Sequence, residues 1–243
     1  MRLPVLLISL VLASPLAAAE HRVAPGTGSL AAAIAEAAPG DVLMLTDGAY
    51  LGPVVVDRAL VVTGPRGAVV DGQGTGSVIT ITASDVALKG FTVTGSGRIN
   101  QNLDAGVKID KGADRARVED LLVTGNLHGI DVHGGRDAVV ARNEIIGLDS
   151  PRMNERGNGI YVWNSPGTLL ENNVIRFGRD GIFSNASSNS IYRGNLMRDL
   201  RFAVHFMYTR NTEVSGNISI GNHLGFAIMF SNQARILNNF SLA

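Results

Sequence analysis

The sequence predicts an all-β protein built as a parallel β-helix, and three observations point to that fold. Short segments with β-type alternation repeat along most of the chain with a period of about 22 residues. Gly, Asn, Asp or Ser separates the segments, and they lack the 3.6-residue periodicity of helices. Coils of about this length are typical of parallel β-helices, in which each strand pairs with its copy in the next coil.

The first segment of the chain predicts an export signal. Arg2 is followed by an almost entirely apolar run over residues 3–16, and residues 17–19 are alanines. This order is typical of a secretory signal peptide with cleavage after Ala19. We therefore expect residues 1–19 to be a signal peptide and residues 20–243 to form the β-helix domain. The mature chain contains no run of 18 apolar residues, so we expect no membrane span in it.

Composition excludes several classes of site and favours the bacterial periplasm. The chain has no cysteine, which removes disulfides, thiolate metal sites and cysteine nucleophiles. A signal peptide on a chain without cysteine favours the periplasm. Lys plus Arg equals Asp plus Glu at 21 each, which argues against a nucleic-acid binder that acts through net charge.

Residues 29–38 predict a short helix that caps the N-terminal end of the solenoid. The segment is rich in alanine, Ser29 is a candidate N-cap, and Pro39 and Gly40 end the pattern. A solenoid exposes its core at its ends, so a short amphipathic helix covers it. Strands are expected next at residues 42–45, 54–56, 60–62, 68–70 and 78–81.

The C-terminal end has no comparable cap. The sequence stops at Ala243, four residues after an asparagine that opens another coil. An uncapped end exposes strand edges and core. We therefore expect either a C-terminally truncated chain or a last coil that meets a partner or a second copy.

An asparagine recurs at 22-residue intervals and predicts an internal turn ladder. Asn173, Asn195, Asn217 and Asn239 share this spacing, and Asn143 precedes them by one period plus an eight-residue insertion. Stacked turn asparagines bond one another and tolerate the left-handed conformation. This structural interpretation is favoured over a functional one.

A second motif fixes which side chains point inward. Gly-Ile-x-Val segments and their variants predict two inward columns: residues 107, 130, 160, 182, 204 and 226, and residues 109, 132, 162, 184, 206 and 228. Alternation then sends two columns outward. They read Lys108, Asp131, Tyr161, Phe183, His205 and Ala227, and Asp110, His133, Trp163, Asn185, Met207 and Met229.

The C-terminal half of the outward strip carries candidate metal ligands. His205 and Met207 lie on one face, and Met229 follows Met207 by 22 residues. Thioethers and imidazole prefer Cu(I), so these side chains predict one copper site, to which His223 could contribute. The alternative is a hydrophobic docking patch, because methionine mostly fills gaps.

The N-terminal half of the strip carries a candidate acid–base patch. Lys108, Asp110, Asp131 and His133 fall within two coils, and this combination suits a polysaccharide lyase or uronate epimerase. The ordinary alternative is a solvated face with ladder pairs of opposite charge, and it is favoured here.

Aromatic side chains on the same strip predict a binding surface. Tyr161, Trp163 and Phe183 lie in the outward columns, and Tyr208 and Phe230 follow the two methionines. Exposed aromatic patches on a solenoid face usually mark binding of a sugar or a protein. The residue types do not decide between these ligands.

Two stretches give the chain a family resemblance. His-Phe-Met-Tyr at residues 205–208 and Ala-Ile-Met-Phe-Ser at residues 227–231 resemble the NosD family. Its members are periplasmic copper-processing proteins of nitrous oxide reductase maturation. Weaker similarity in residues 29–42, 48–53, 70–74 and 159–163 extends over nearly the whole mature chain. Family members continue for further coils, so the chain resembles their N-terminal portion.

The resemblance implies a right-handed, pectin-lyase-like β-helix and a non-catalytic role. Copper is the implied ligand. The implied function is copper delivery and copper–sulfide cluster assembly in nitrous oxide reductase. The implied partners are ABC transporter subunits, a copper-donating lipoprotein and the reductase itself. The assignment of His205, Met207 and Met229 as copper ligands rests on the two outward columns and not on the resemblance.

Overall fold

The strands form three parallel sheets that wind as a right-handed solenoid of about ten turns. The computed structural model describes residues 18–150 and 152–242. Residues 1–17 of the predicted signal peptide lie outside the described residues. Each complete coil runs through sheet 1, sheet 2 and sheet 3 in that order. The predicted all-β parallel β-helix is therefore confirmed.

Sheets 1 and 2 each contain ten strands within the described residues. Sheet 1 consists of β1 (Glu20–Val23), β3 (Val42–Leu45), β6 (Val61–Thr63), β9 (Ala87–Lys89), β12 (Arg117–Glu119), β15 (Val139–Ala141), β18 (Leu169–Glu171), β21 (Ile191–Arg193), β24 (Glu213–Ser215) and β27 (Arg235–Leu237). Sheet 2 consists of β2 (Gly26–Thr27), β4 (Gly48–Leu51), β7 (Ala68–Asp71), β10 (Thr92–Thr94), β13 (Leu122–Thr124), β16 (Glu144–Ile146), β19 (Val174–Arg176), β22 (Leu196–Arg198), β25 (Ile218–Ile220) and β28 (Phe240–Leu242).

Sheet 3 carries the predicted functional strip. Its eight described strands are β5 (Val54–Val56), β8 (Ile79–Ile81), β11 (Ala105–Ile109), β14 (His128–His133), β17 (Ile160–Trp163), β20 (Asp180–Asn185), β23 (Phe202–Met207) and β26 (Leu224–Met229). Short 3-10 turns at Asn100–Asn102 and Met153–Glu155 lie in the loops that precede β11 and β17.

A helix replaces the sheet 3 strand in the first coil. Helix α1 (Ser29–Glu36) buries Leu30 and Ile34 and contacts β5, the first strand of sheet 3. The predicted capping helix is present, two residues shorter than expected. The N-cap prediction was wrong: Gly28 takes that position with φ +70°, and the Ser29 hydroxyl donates to the Gly26 carbonyl at 3.1 Å. A left-handed N-cap suits glycine better than serine.

The inward columns form the core as predicted up to Phe206, but in the last coil Phe226 is only partly buried and Ile228 is 37% exposed. Ile130, Ile160 and Ile182 pair in successive coils and are fully buried, and Val107 and Val204 continue the column. The five strands predicted after the helix are all present, and no end differs by more than one residue. Strand alternation was sufficient here because one face of each sheet is buried.

The recurring asparagines form the predicted hydrogen-bonded ladder. The main-chain N–H and side-chain amide of Asn173 both donate to Asn195 Oδ1, at 3.0 and 2.9 Å. The same pair of bonds links each of Asn143, Asn195 and Asn217 to the next asparagine in the ladder. Every side-chain amide also donates to a main-chain carbonyl, those of Val118, Val140, Leu170, Tyr192 and Val214. The ladder is buried and structural.

One detail of the ladder prediction was wrong. The left-handed conformation belongs to the residue before each ladder asparagine, as at Arg142 with φ +56° and Asn172 with φ +55°. The register also pairs Leu122 with Glu144, so Leu121 occupies the position of Asn143 one coil earlier and the asparagine ladder begins at Asn143. The ladder amides need an extended backbone to reach the next coil, and the turn is made one residue earlier.

Candidate functional site

The outer face of sheet 3 carries both predicted outward columns in the predicted register. Phe183 pairs with His205, and His205 pairs with Ala227 in the next coil. Asn185 pairs with Met207, and Met207 pairs with Met229. Side chains in each column are therefore about 4.8 Å apart along the solenoid axis.

His205 has one ring nitrogen fixed and the other unused. Its Nδ1 lies 3.0 Å from Asp180 Oδ2, and the residue is only 7% exposed. A carboxylate accepts the Nδ1 proton, which leaves Nε2 as the nitrogen with a lone pair. Nε2 is buried and has no hydrogen-bond partner among the described residues. His205 is thus oriented for a ligand at Nε2.

Asp180 forms a bidentate ion pair with Arg201. Arg201 Nε and Nη2 donate to the two carboxylate oxygens of Asp180 at 2.8 and 2.6 Å. The guanidinium lies 4.3 Å from the centre of the Phe202 ring, which packs edge-on against His205. Phe183 stacks on the other side of His205 at 4.7 Å. Such outer contacts fix the orientation of a ligating imidazole.

Met207 and Met229 add two thioethers beside this histidine. Met207 is two residues from His205 on the same strand, about 6.6 Å along it. Met207 is half-buried, whereas Met229 is 42% exposed. Ala227 is the register partner of His205, so no bulky side chain follows the histidine in its column. The three side chains are soft and neutral, they lie in two neighbouring columns, and Met229 is the most exposed of them.

The structure does not bring His223 to this donor set. His223 is exposed and immediately precedes β26, whereas Met229 ends that strand. Six residues of extended chain separate the two residues by about 20 Å. In register terms His223 is the neighbour of Arg201, four residues before His205. One metal ion cannot contact His223 and both methionines.

The predicted aromatic surface falls into separate stacks. Tyr161 and Phe183 stack at 5.2 Å, and Trp163 stacks on His133 at 4.4 Å. Tyr208 and Phe230 stack at 5.2 Å and are 59% and 73% exposed. The latter pair directly follows Met207 and Met229 in sequence, so the most exposed aromatic pair adjoins the thioethers.

The four residues of the predicted acid–base patch lie together, but the central acid is inaccessible. Lys108 Nζ lies 3.6 Å from Asp110 Oδ1, and His133 Nδ1 lies 3.5 Å from Asp131 Oδ1. Asp131 has no exposed surface, and this burial raises the pKa of its carboxyl group. A substrate in solvent does not reach this carboxylate in the described conformation.

Sequence reasoning missed Asp180, Arg201 and the role of His128. Asp180 pairs in register with Phe202, so its contact with His205 is diagonal and does not follow from the columns. His128 accepts from the Asn158 main chain at Nδ1 and contacts Asn100 through Nε2. Burial lowers the pKa of His128 to about 4, so it is a neutral structural residue. A buried Asp–Arg pair has no sequence signature of its own.

Two further features concern metals and membranes. In residues 18–150 and 152–242, no three His, Asp or Glu side chains converge as a metal site. In the same part of the chain, no helix has the length and apolar character needed to cross a bilayer. Groups that include methionine thioethers are a different type of ligand set from these.

Residues 148–242 match the family described as "Periplasmic copper-binding protein (NosD)". Over this segment the chain is similar to the NosD family. Over 137 residues it is 34% identical to "Probable ABC transporter binding protein NosD" of Stutzerimonas stutzeri. The aligned region covers 56% of this chain and 31% of that protein. A protein of the same name from Pseudomonas aeruginosa is 33% identical over 137 residues, with 56% and 32% covered. The chain thus spans about a third of the length of these NosD relatives.

Solved structures share the fold at low identity. An alginate lyase from Paenibacillus sp. str. FPU-7 matches with a TM-score of 0.62 and 16% identity, covering 90% of this chain and 97% of that one. Pectate lyase Pel9A matches with a TM-score of 0.66 and 14% identity, covering 90% and 78%. These likenesses support the pectin-lyase-like solenoid and carry no activity over to this chain.

Proposed function

We propose that this chain is the β-helix of a periplasmic accessory protein that handles Cu(I) for nitrous oxide reductase. In this role it delivers copper and assists copper–sulfide cluster assembly. The NosD similarity supports a periplasmic, copper-related function. Cu(I) is cargo here, not a resident cofactor.

The observation that carries the proposal is the unused Nε2 of His205 beside two paired methionines. An imidazole nitrogen and two thioether sulfurs are soft donors that favour Cu(I) over harder ions. All three are neutral, so the site binds a monovalent ion without burying an anionic ligand. The Asp180–Arg201 pair holds the imidazole in place.

The arrangement supports capture and release rather than permanent storage. Met229 is the solvent-facing donor, whereas His205 is buried. Copper would contact Met229 first, then Met207 and His205, and leave in the reverse order. His223 lies about 20 Å from Met229 along the strand and is not part of this donor set.

The proposed partners are the ABC transporter subunits, the copper-donating lipoprotein and the reductase. The names of the two relatives refer to an ABC transporter. We assign docking to the exposed Tyr208–Phe230 pair, with Tyr161, Trp163 and Phe183 as the adjoining surface, because this pair lies beside the exit methionine. Export by residues 1–19, cleavage after Ala19 and a β-helix over residues 20–243 belong to the same proposal.

The test is a competition titration of the chain with Cu(I) under reducing conditions. We expect tight binding that is lost in the Met207→Ala/Met229→Ala double variant. His223→Ala is the matched control and should bind as the unchanged protein does. If the double variant bound Cu(I) with the same affinity as the unchanged protein, the assignment of Met207 and Met229 as copper ligands would be wrong.

The alternative is a carbohydrate-active enzyme built on Lys108, Asp110, Asp131 and His133. The four side chains do lie together, which favours this candidate. Full burial of Asp131 counts against it. Release of unsaturated sugars or epimerisation of uronates from acidic polysaccharides would establish it, and inactivity on that panel would dismiss it.

A further inference from the structure

Asp131 is a fully buried carboxyl group for which the described residues supply no hydrogen bond. It lies in β14, on the outer face of sheet 3, with no exposed surface. Neither Oδ1 nor Oδ2 has a hydrogen-bond partner. Burial of a carboxylate is costly unless an opposite charge or hydrogen bonds compensate it.

The neighbouring cation does not supply that compensation. Lys108 pairs with Asp131 in register, but its ammonium group lies 3.6 Å from Asp110 instead, and no Lys108–Asp131 ion pair forms. On the other side Tyr161 pairs with Asp131 and is half-buried. Asp131 is therefore enclosed between two coils that leave its charge unpaired.

His133, two residues after Asp131, also has a buried side-chain atom without a hydrogen-bond partner. Its Nδ1 lies 3.5 Å from Asp131 Oδ1 but lacks hydrogen-bond geometry, and Nδ1 is itself buried without a partner. The His133 side chain is 28% exposed, so solvent reaches the ring. Three buried donor atoms without hydrogen-bond partners, two oxygens and one nitrogen, thus lie together beneath the partly exposed ring of His133.

We propose that Asp131 and His133 bind a divalent late transition-metal ion, of the class of Cu(II), Ni(II) or Zn(II). One carboxylate and one imidazole suit these borderline ions, whereas Ca²⁺ needs six to eight oxygens. Water would complete the coordination of the ion, entering past the partly exposed ring of His133. The ion supplies the positive charge that Asp131 lacks.

This site is separate from the proposed Cu(I) site and does not depend on it. Three steps of the column, through Tyr161 and Phe183, lead from Asp131 to His205. At about 4.8 Å for each step, the two sites are about 14 Å apart. Their donors also differ, because the second site contains no thioether.

Trp163 gives the site a direct reporter. It is the single tryptophan of the chain, and its ring stacks on His133 at 4.4 Å. Paramagnetic Ni(II) bound at His133 should quench its fluorescence, and diamagnetic Zn(II) should compete for the site and restore the signal. The titration uses the full chain with NiCl₂, followed by ZnCl₂.

Two substitutions separate metal binding from ring packing. His133→Phe keeps an aromatic ring against Trp163 but removes the nitrogen, and we expect saturable quenching to disappear. Asp131→Asn should weaken Ni(II) binding at least tenfold. His223→Gln and the Met207→Ala/Met229→Ala variant should quench like the unchanged protein. Circular dichroism confirms that each variant is folded.

Two outcomes would overturn the proposal. The first is quenching in the unchanged protein that is no greater than in His133→Phe. The second is full Ni(II) affinity in a folded Asp131→Asn variant, which would leave His133 as an isolated surface histidine.

Discussion

His205 Nδ1 and Asp180 Oδ2 lie 3.0 Å apart in adjacent strands of sheet 3, and the carboxylate is held from behind by Arg201. The contact is a carboxylate–imidazole pair that leaves the second ring nitrogen, Nε2, buried and without a hydrogen-bond partner among the described residues. Metal-binding histidines commonly have such a partner. At the proposed Cu(I) site, Asp180 would therefore act through His205 rather than on the ion.

Asp180→Asn should weaken Cu(I) binding and the fold together. Loss of an outer-shell partner lowers metal affinity by about 10- to 100-fold. The broken pair should cost roughly 2 kcal/mol, less than the ~3–5 for a fully buried pair, because Arg201 is 25% exposed. Cu(I) competition and urea unfolding measure the two effects.

Asp199→Asn is the matched control for that variant. Asp199 pairs with Arg198 at 2.9 Å, but its side chain is 41% exposed. We expect a change within about 0.5 kcal/mol and unaltered Cu(I) affinity. If Asp180→Asn bound Cu(I) as tightly as this control, the positioning role would be wrong.

Asn195→Ala should destabilise the solenoid by roughly 3 kcal/mol. The side chain accepts two hydrogen bonds from Asn173 and donates to Leu170 and Asn217, all in a buried position. Alanine leaves those buried groups unpaired, at about 1–3 kcal/mol for each unsatisfied group with partial relaxation. Urea unfolding monitored by circular dichroism tests this, with the exposed Asn232→Ala as control. A loss below about 1 kcal/mol would show that the ladder is not a main source of stability.

His128 should make the protein less stable as the pH falls from 6.5 towards 4. Its folded pKa is about 4, below the ordinary value, because burial disfavours the charged ring. The unfolded chain takes up the proton first, so stability present above pH 6.5 decreases by up to about 3 kcal/mol. Urea unfolding from pH 7.5 to 4.5 measures the slope. His128→Gln should flatten it and His223→Gln should not; equal slopes in both would contradict the assignment.

Asp131→Asn should stabilise the metal-free protein at neutral pH. Burial raises the folded pKa of Asp131 above its unfolded value, so ionisation opposes folding as the pH rises. The amide removes that penalty without changing the shape of the side chain. Thermal unfolding with a chelator present should show a higher Tm at pH 7.5 and a smaller gain at pH 4. A lower Tm at pH 7.5 would indicate that the charged carboxylate is compensated.

The sequence was sufficient to predict which side chains stack in each column of sheet 3, but not which side chains from different columns contact each other. The 22-residue period placed Met207 opposite Met229 because ladder pairs follow from the period and from strand alternation. It could not place Asp180 against His205, since that contact crosses the register diagonally. The sequence also grouped His223 with Met229 because both belong to the same coil, although the two residues lie at opposite ends of β26. Burial of Asp131 was missed because an outward column was equated with exposure.

The asparagine ladder also has a dynamic consequence for the outer face of sheet 3, where the Cu(I) site is proposed. Each rung ties the turn of one coil to the turn of the next, so no coil from Asn143 to Asn239 opens without breaking bonds in its neighbour. Local opening of single coils is thereby suppressed in favour of concerted opening. Amide protons of β20 and β23 should therefore exchange with solvent at similar rates. We therefore expect the main chain that carries His205, Met207 and Met229 to move as one unit, so that entry of an ion to the proposed Cu(I) site depends on motion of the exposed Met229 side chain.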